Sequence, residues 1–176
     1  MMLQKARIRV YTGEGEGKTT AALGLAWMAI SRGLRVFMVQ FLKPPDSSAE
    51  HFAAKIFSSL FKIRPMGRGG FIDKRKPEPE DRVAGQQALE EAREAMLGGD
   101  YAMIILDEAN VAVHRKIINV RDLLDFIAAK PENVQLVITG RDAPPEVIDL
   151  ADTVIEMKRI KHPFDTGLTA RKGIDY

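Results

Sequence analysis

A chain of 176 residues has the length of one ordinary domain, so we expect a single domain over residues 1–176. Hydrophobic residues make up 45% and charged residues 28% of the chain, a balance that excludes a disordered or fibrous protein. The 26 basic and 24 acidic side chains leave a net charge of +2, which argues against a nucleic-acid partner. The chain has no cysteine, which excludes disulfides, thiol nucleophiles and cysteine-ligated metals.

The amino terminus has no apolar segment of signal-peptide length. No run of apolar residues approaches the length of about 18 that a membrane-spanning helix needs. We therefore expect a cytoplasmic protein without a membrane partner.

Strand-like and helix-like segments alternate along the sequence. Short apolar runs predict buried strands at residues 7–11, 36–41, 101–106, 134–139 and 153–157. Helical periodicity predicts helices at residues 18–32, 49–61, 77–97 and near 120–127, and a short one after Pro144. Strands separated by helices favour an α/β fold, a mostly parallel sheet with helices on both faces.

Several smaller expectations accompany this fold. The sequence SSAE at residues 47–50 predicts a capping box at the start of the second helix. Residues 62–78 are basic and rich in glycine and proline, and are expected to be irregular. Trp27 is expected in the core, and His51 and His114 are expected in solvent.

The most informative segment is GEGEGKTT at residues 13–20, between the first strand and the first helix. Alternating glycines permit positive φ angles and a close approach of backbone N–H groups to an anion. Lys18 adds a positive charge, Thr19 offers a hydroxyl to a magnesium ion, and Thr20 offers one to phosphate. The strict phosphate-loop motif has glycine at position 12, where this chain has Thr12. The segment therefore predicts a nucleotide site built on a variant phosphate loop.

A second anchor for magnesium is expected at the end of the strand predicted at residues 101–106. Asp107 and Glu108 follow that strand directly. Carboxylates at the carboxyl end of a parallel strand face the same edge of the sheet as the phosphate loop. The two residues are therefore candidate metal ligands.

Seven short blocks follow one another along the chain. They are GEGEGKTTAA at 13–22, VQFLK at 39–43, LDE at 106–108, VITGR at 137–141, LADTV at 150–154, KHPFDTG at 161–167 and GIDY at 173–176. In this order they resemble the P-loop family of ATP:corrinoid adenosyltransferases, from about residue 7 to residue 176. The resemblance implies a P-loop NTPase fold of the RecA-like type.

The resemblance also implies a reaction. Members of that family are cob(I)yrinic acid a,c-diamide or cob(I)alamin adenosyltransferases, and transfer the 5′-deoxyadenosyl group of ATP to the Co(I) centre of a reduced corrinoid. Triphosphate leaves, and the product serves adenosylcobalamin biosynthesis or salvage. The cobalt is itself the nucleophile, which agrees with a chain that has no cysteine.

Site residues are carried over by matching positions. Nucleotide binding is assigned to Gly13, Glu14, Gly15, Glu16, Gly17, Lys18, Thr19 and Thr20. Magnesium is assigned to Thr19, Glu108 and Asp107, and catalytic roles to Lys18 and Phe71. Arg141 is assigned either to phosphate or corrinoid contact or to a surface ion pair.

Phe71 matches the first aromatic of a family motif that shields the lower face of the corrin ring, but the tryptophan position of that motif holds Asp73. Many members carry a helix before the first strand, and only six residues precede Arg7 here, so we expect this cover to be missing or to come from elsewhere. The resemblance further implies a flavin-type electron-donor protein as partner and a homodimer.

Two other functions compete with the adenosyltransferase. In an ATPase or small-molecule kinase, Glu108 would act as general base toward water or a hydroxyl group. A non-catalytic carrier would bind nucleotide and corrinoid without turnover.

Overall fold

The computed structural model describes residues 6–46, 48–57, 59–67 and 76–161. Six strands and six helices lie within these residues, and they alternate except that α4 and α5 both lie between β4 and β5. The strands are β1 (Ile8–Thr12), β2 (Val36–Gln40), β3 (Phe61–Pro65), β4 (Met103–Asp107), β5 (Gln135–Thr139) and β6 (Thr153–Glu156). The helices are α1 (Lys18–Ile30), α2 (Ala49–Ile56), α3 (Pro79–Leu97), α4 (Ala109–His114), α5 (Val120–Ala128) and α6 (Pro145–Leu150).

All six strands belong to one parallel sheet in the order β3, β2, β4, β5, β1, β6. Strand β1 therefore lies between β5 and β6, and β5 separates β1 from β4. Because every strand runs in the same direction, the loops after β1, β2, β4 and β5 lie at one edge of the sheet.

Two hydrophobic clusters cover the two faces of the sheet. One contains small side chains of α1 and α2, such as Ala22, Ala26 and Ala54, which allow these helices to pack closely. The other contains larger side chains of α3 and α5, such as Leu89 and Phe126. Burial on both faces explains why the strands are continuous apolar runs. The predicted fold, a parallel sheet with helices on both faces, is confirmed.

The prediction for residues 49–78 was wrong in one respect. Helix α2 ends at Ile56 instead of continuing to residue 61, and the edge strand β3 begins at Phe61. Strand β3 alternates buried or partly buried apolar side chains with exposed Lys62 and Arg64, and ends at Pro65. An edge strand with so few apolar residues resembles a loop in sequence, and Phe61 also fits the helical spacing by chance.

The residue before α2 is Ser48, whose side chain makes no capping hydrogen bond, and Ser47, the first residue of the predicted capping box, lies outside the described residues. One smaller expectation was wrong. Trp27 is 49% exposed rather than in the core, and its ring packs edge-on against Phe57 at a centroid distance of 4.7 Å.

Candidate active site

The loop between β1 and α1 is shaped by the chain that follows β6. Gly13 and Gly17 have φ angles of 91° and 99°, a region that favours glycine. A Cβ atom on Gly13 would lie 2.5 Å from the carbonyl oxygen of Met157. The N–H of Gly15 donates to that same oxygen at 2.7 Å. Glycine is therefore required at Gly13 both by the backbone angle and by the neighbouring chain.

Lys18 points its ammonium group back into this loop. Its Nζ donates to the carbonyl oxygens of Gly13, at 2.7 Å, and Gly15, at 2.6 Å. Lys18 is only 9% exposed, and burial lowers the pKa of its ammonium group, an effect that the Glu108 carboxylate opposes. The loop thus gathers a cation and the amino end of α1 at one point, which is an arrangement that binds anions.

Asp107, at the end of β4, is a fully buried carboxylate with three hydrogen-bonding side chains around it. Its Oδ1 accepts from Thr19 Oγ1 at 2.8 Å and from Thr139 Oγ1 at 2.7 Å. Its Oδ2 accepts from Gln40 Nε2 at 3.0 Å. The structure therefore brings Thr19 and Asp107 together across the intervening strand β5, with Thr139 as the bridge.

Gln40 and Thr139 were missed by the sequence reasoning. Each is the last residue of a buried strand, and each is itself fully buried. A polar residue that ends an apolar strand at the same edge as a phosphate loop is the signal that would have identified both.

Glu108 lies beside this carboxylate but faces a different environment. Its φ is 62°, in the left-handed region, and its N–H donates to Thr139 Oγ1 at 3.0 Å. Burial, together with the charge of Asp107, raises the pKa of Glu108 to about 7, against the opposing charges of Lys18 and Lys43. The residue directly precedes α4, a helix that sequence reasoning did not predict.

A partly buried ion pair adjoins Asp107 on the side of α2. Lys43 Nζ lies 2.7 Å from Glu50 Oε1 and 3.6 Å from Asp107 Oδ2. Burial alone would lower the pKa of Lys43, but the carboxylates of Asp107 and Glu50 outweigh it and raise the pKa. Burial opposes ionisation of Glu50, but Lys43 and a hydrogen bond from Gln40 lower the pKa of Glu50 to about 2. Both members of the pair were missed by the sequence reasoning.

His51 is buried, so its expected position in solvent was wrong. It is 5% exposed, and its Nε2 hydrogen-bonds to Gln40 Oε1 at 2.5 Å. The residue lies on the inner face of α2, opposite to the face predicted. His114 is half exposed as expected, with Nδ1 3.8 Å from Asp142 Oδ2.

The remaining predicted residues lie around the mouth of the loop. Glu14, Glu16 and Thr20 are exposed. Arg141 NH1 lies 3.5 Å from Glu14 Oε2, which brings the residue after β5 to the phosphate loop. Phe71 and Asp73, and the block at residues 162–176, lie outside the described residues.

The oxygen atoms of Thr19 and Asp107 fit a magnesium ion. They are 2.8 Å apart, and adjacent ligands of an octahedral magnesium ion, each about 2.1 Å from it, lie about 3 Å apart. Among the described residues no group of three or more histidine, cysteine or acidic side chains is arranged to hold a metal. A pair of oxygen ligands completed by water and phosphate is how magnesium is usually bound.

Comparison with known proteins identifies the family. The model of the family described as ATP:corrinoid adenosyltransferase BtuR/CobO/CobP matches residues 4–176. The chain belongs to this family. Its resemblance to corrinoid adenosyltransferases is thereby confirmed, and it is a transferase.

Curated members of the adenosyltransferase family match nearly the whole chain. A corrinoid adenosyltransferase of Sinorhizobium sp. is 33% identical over 175 residues, which cover 98% of this chain and 81% of that protein. One from Escherichia coli K12 is 32% identical over 173 residues, which cover 98% of this chain and 87% of that protein.

A solved structure supports the fold class of this adenosyltransferase family member. The flagellar accessory protein FlaH of Methanocaldococcus jannaschii has a TM-score of 0.58 and 15% identity to the chain. The match covers 88% of this chain and 72% of FlaH. Together with the all-parallel sheet, it confirms the predicted α/β, RecA-like fold class. Within the described residues, none of the helices is both long and apolar enough to cross a membrane.

Proposed function

We propose that the protein transfers the 5′-deoxyadenosyl group of ATP to the Co(I) centre of a reduced corrinoid, with release of triphosphate. The observation that carries the proposal is the family match over residues 4–176. The phosphate loop and the contact between Thr19 and Asp107 support it, because they would place an anion site next to a magnesium site.

The bond changes balance without a nucleophile from the protein. The electron pair of Co(I) forms the bond to C5′ and the cobalt becomes formally Co(III). The bond from C5′ to the ester oxygen breaks, and its electron pair leaves with triphosphate. The protein therefore has two tasks, to place cobalt and C5′ in line and to stabilise the charge that gathers on the leaving group.

The phosphate loop serves the leaving group. The ammonium group of Lys18 lies in the loop that leads into α1, and together with the backbone N–H groups at the start of that helix it would hold the triphosphate. Preorganised donors of this kind stabilise charge that develops in the transition state. Gly13, Gly15, Gly17 and Thr20 belong to this group by position, and Arg141 lies close enough to contact phosphate or corrinoid.

Thr19 and Asp107 would hold magnesium, and Glu108 is placed next to them. Bound magnesium supplies positive charge that neutralises the triphosphate. Asp107 is held in one orientation by hydroxyl and amide donors. On the corrinoid side, we propose that Phe71 shields the lower face, that a flavin-type protein delivers the electron, and that the enzyme acts as a homodimer.

ATP hydrolysis or phosphoryl transfer is the second candidate function. The position of Glu108 beside the loop and its pKa of about 7 are those of a general base. In that reaction the bond between the β and γ phosphates would break, and the adenosyl group would stay on ADP.

Product identity separates the two candidates. The protein is incubated with magnesium ATP and chemically reduced cobalamin under anaerobic conditions, and the products are separated by chromatography. We expect triphosphate and a light-sensitive alkylcobalamin in equal amounts. ADP and phosphate in place of triphosphate would contradict the proposal and favour the second candidate. Binding of both ligands without any product would identify a carrier.

A further inference from the structure

A buried row of side chains connects helix α2 to the Asp107 carboxylate. His51 contacts Gln40, and Gln40 contacts Asp107. Gln40 is fully buried and His51 is 5% exposed. Among the described residues, neither has a hydrogen bond to the phosphate loop, and the direct hydrogen-bonded path from His51 to the site runs through Gln40 and Asp107.

The hydrogen bonds fix which way the Gln40 amide points. Its Nε2 donates to Asp107 Oδ2 and to Glu50 Oε1, both at 3.0 Å. Turned over, the amide would place its oxygen against two carboxylate oxygens, which is repulsive. Gln40 therefore uses both of its N–H groups on carboxylates and has only its oxygen left for His51.

The tautomer of His51 follows from the same network. An amide oxygen only accepts, so the Nε2 of His51 must carry the proton that Gln40 Oε1 accepts. Within the described part of the chain, the Nδ1 atom is buried and has no hydrogen-bond partner, and burial lowers the pKa of this imidazole. His51 thus donates its Nε2–H to the Gln40 oxygen, and Ser48 Oγ lies 3.3 Å from the same nitrogen.

The orientation of Asp107 depends on this arrangement. The Gln40 amide holds Oδ2 on one side, which leaves Oδ1 directed at the hydroxyl of Thr19. If the Gln40 side chain rotated, Oδ2 would lose this donor and keep only the longer contact to Lys43 Nζ, at 3.6 Å, so the carboxylate would be held less firmly. The group that faces the magnesium site is therefore set from helix α2.

We propose that His51 is a positioning residue for the magnesium site: its Nε2–H holds the amide of Gln40, which holds Asp107 in the orientation that meets Thr19. This inference rests on the proposed function, because it assumes that Thr19 and Asp107 bind the magnesium of magnesium ATP. A purely structural histidine would stabilise the fold without affecting magnesium specifically.

The experiment compares ATP binding with and without magnesium by titration calorimetry. His51→Phe keeps a planar ring and removes the donor, whereas His51→Gln keeps an N–H donor that does not titrate. Ala54→Gly is the matched control, because Ala54 is buried on the same helix, outside the hydrogen-bond network. The ¹⁵N spectrum of histidine-labelled wild-type protein reports the tautomer independently.

We expect His51→Phe to weaken the binding of magnesium ATP by about 10-fold or more, the usual effect of losing a group that orients a metal ligand. Metal-free ATP should bind almost as before, His51→Gln should recover most of the loss, and Ala54→Gly should match the wild type. The nitrogen spectrum should show a proton on Nε2.

Any one of three results would overturn the inference about His51 and leave the proposed function standing. They are an unchanged affinity for magnesium ATP in His51→Phe, an equal loss of ATP affinity with and without magnesium, and a proton on Nδ1 in the wild type. If His51→Phe does not fold, the wild-type tautomer and the affinity of His51→Gln for magnesium ATP test the inference instead. A large loss of that affinity in His51→Gln would count against the inference. A wild type that binds ATP without any magnesium effect would overturn the proposed magnesium site as well.

Discussion

Thr19 and Asp107 are 88 positions apart in the chain, yet Thr19 Oγ1 donates a hydrogen bond of 2.8 Å to Asp107 Oδ1. The contact joins the first turn of α1 to the end of β4, across strand β5. It gives the phosphate loop a fixed position relative to the buried carboxylate. Most of the expected behaviour of the site depends on this pair.

Thr19→Val removes the hydroxyl and keeps the branched shape. We expect magnesium ATP to bind about 10-fold to 100-fold more weakly, because the loss of a hydroxyl ligand also frees one side of Asp107. The unfolding free energy should fall by about 1 kcal/mol for the lost hydrogen bond. Calorimetry and urea unfolding measure the two effects. Thr19→Ser, which keeps the hydroxyl, is the control, and equal losses in both variants would contradict the role of Thr19.

Lys18→Ala removes the ammonium group from the phosphate loop. We expect kcat/KM for ATP to fall by about 100-fold or more, the size of effect seen when a preorganised donor is lost. The protein should remain folded, since the hydrogen bonds of the Lys18 side chain within the described residues go to carbonyl oxygens of the neighbouring loop. The adenosylation assay and circular dichroism test both points. Lys55→Ala, at an exposed ion pair with Asp46, is the control. Near-normal activity of Lys18→Ala would show that phosphate binds elsewhere.

Gly13→Ala and Gly33→Ala separate backbone strain from crowding. Both glycines have positive φ angles, of 91° and 74°. A Cβ on Gly33 meets nothing within 4 Å, whereas one on Gly13 meets Met157 O at 2.5 Å. We expect Gly33→Ala to lose about 1 kcal/mol of stability and to keep ATP affinity. Gly13→Ala should lose more stability, by about 1 to 3 kcal/mol in addition, and most of its ATP affinity. Equal losses of stability and of ATP affinity in the two variants would show that the backbone at Met157 shifts to accommodate the added methyl group at little cost.

Glu50→Gln tests the partly buried ion pair between Lys43 and Glu50 through the pH dependence of stability. The pKa of Glu50 is lowered from 4.5 in the unfolded chain to about 2 in the fold. A lowered pKa stabilises the fold above pH 4.5, and this stabilisation is lost as the pH falls toward 2. We expect the variant to be about 2 kcal/mol less stable than the wild type at neutral pH. The difference should shrink below pH 4.5 in urea unfolding curves. A difference that is constant with pH would contradict the ion pair.

Phe71→Ala tests the proposed shielding of the corrin ring. If Phe71 excludes the lower axial ligand, its loss should slow adenosylation from Co(II) cobalamin with a protein reductant. Adenosylation of cobalamin already reduced to Co(I) should change less. Rates from the two starting states measure the difference, and equal losses would count against this role. Phe52→Ala, which removes an exposed aromatic side chain of α2, is the control.

Local features of the site were predictable, whereas their partners were not. The glycine loop and Asp107 were found because the loop directly follows β1 and Asp107 ends β4, so the sequence shows both the residue and its setting. Thr139 and Gln40 also end strands, but their importance depends on β4 lying between β2 and β5, and the sequence does not give the order of strands.

His51 shows the same limit for a helix. The apolar residues of α2 favour a face that includes Phe52 and Ile56, but these are 54% and 77% exposed. The face that packs inward carries His51 and Ala54. His51 is accommodated there because it hydrogen-bonds to Gln40, a contact that hydrophobic periodicity does not predict. Strand β3 was missed for a related reason, since its position at the edge lets Lys62 and Arg64 remain exposed.

The strand order has a consequence for synthesis on the ribosome. Strand β1 emerges first, but both of its neighbours, β5 and β6, are translated more than 100 residues later. Strand β2 is able to pair with β3 and β4 before the neighbours of β1 have been synthesised. The glycine loop, which directly follows β1, therefore takes its final shape among the last parts of the nascent chain, after most of the sheet has formed.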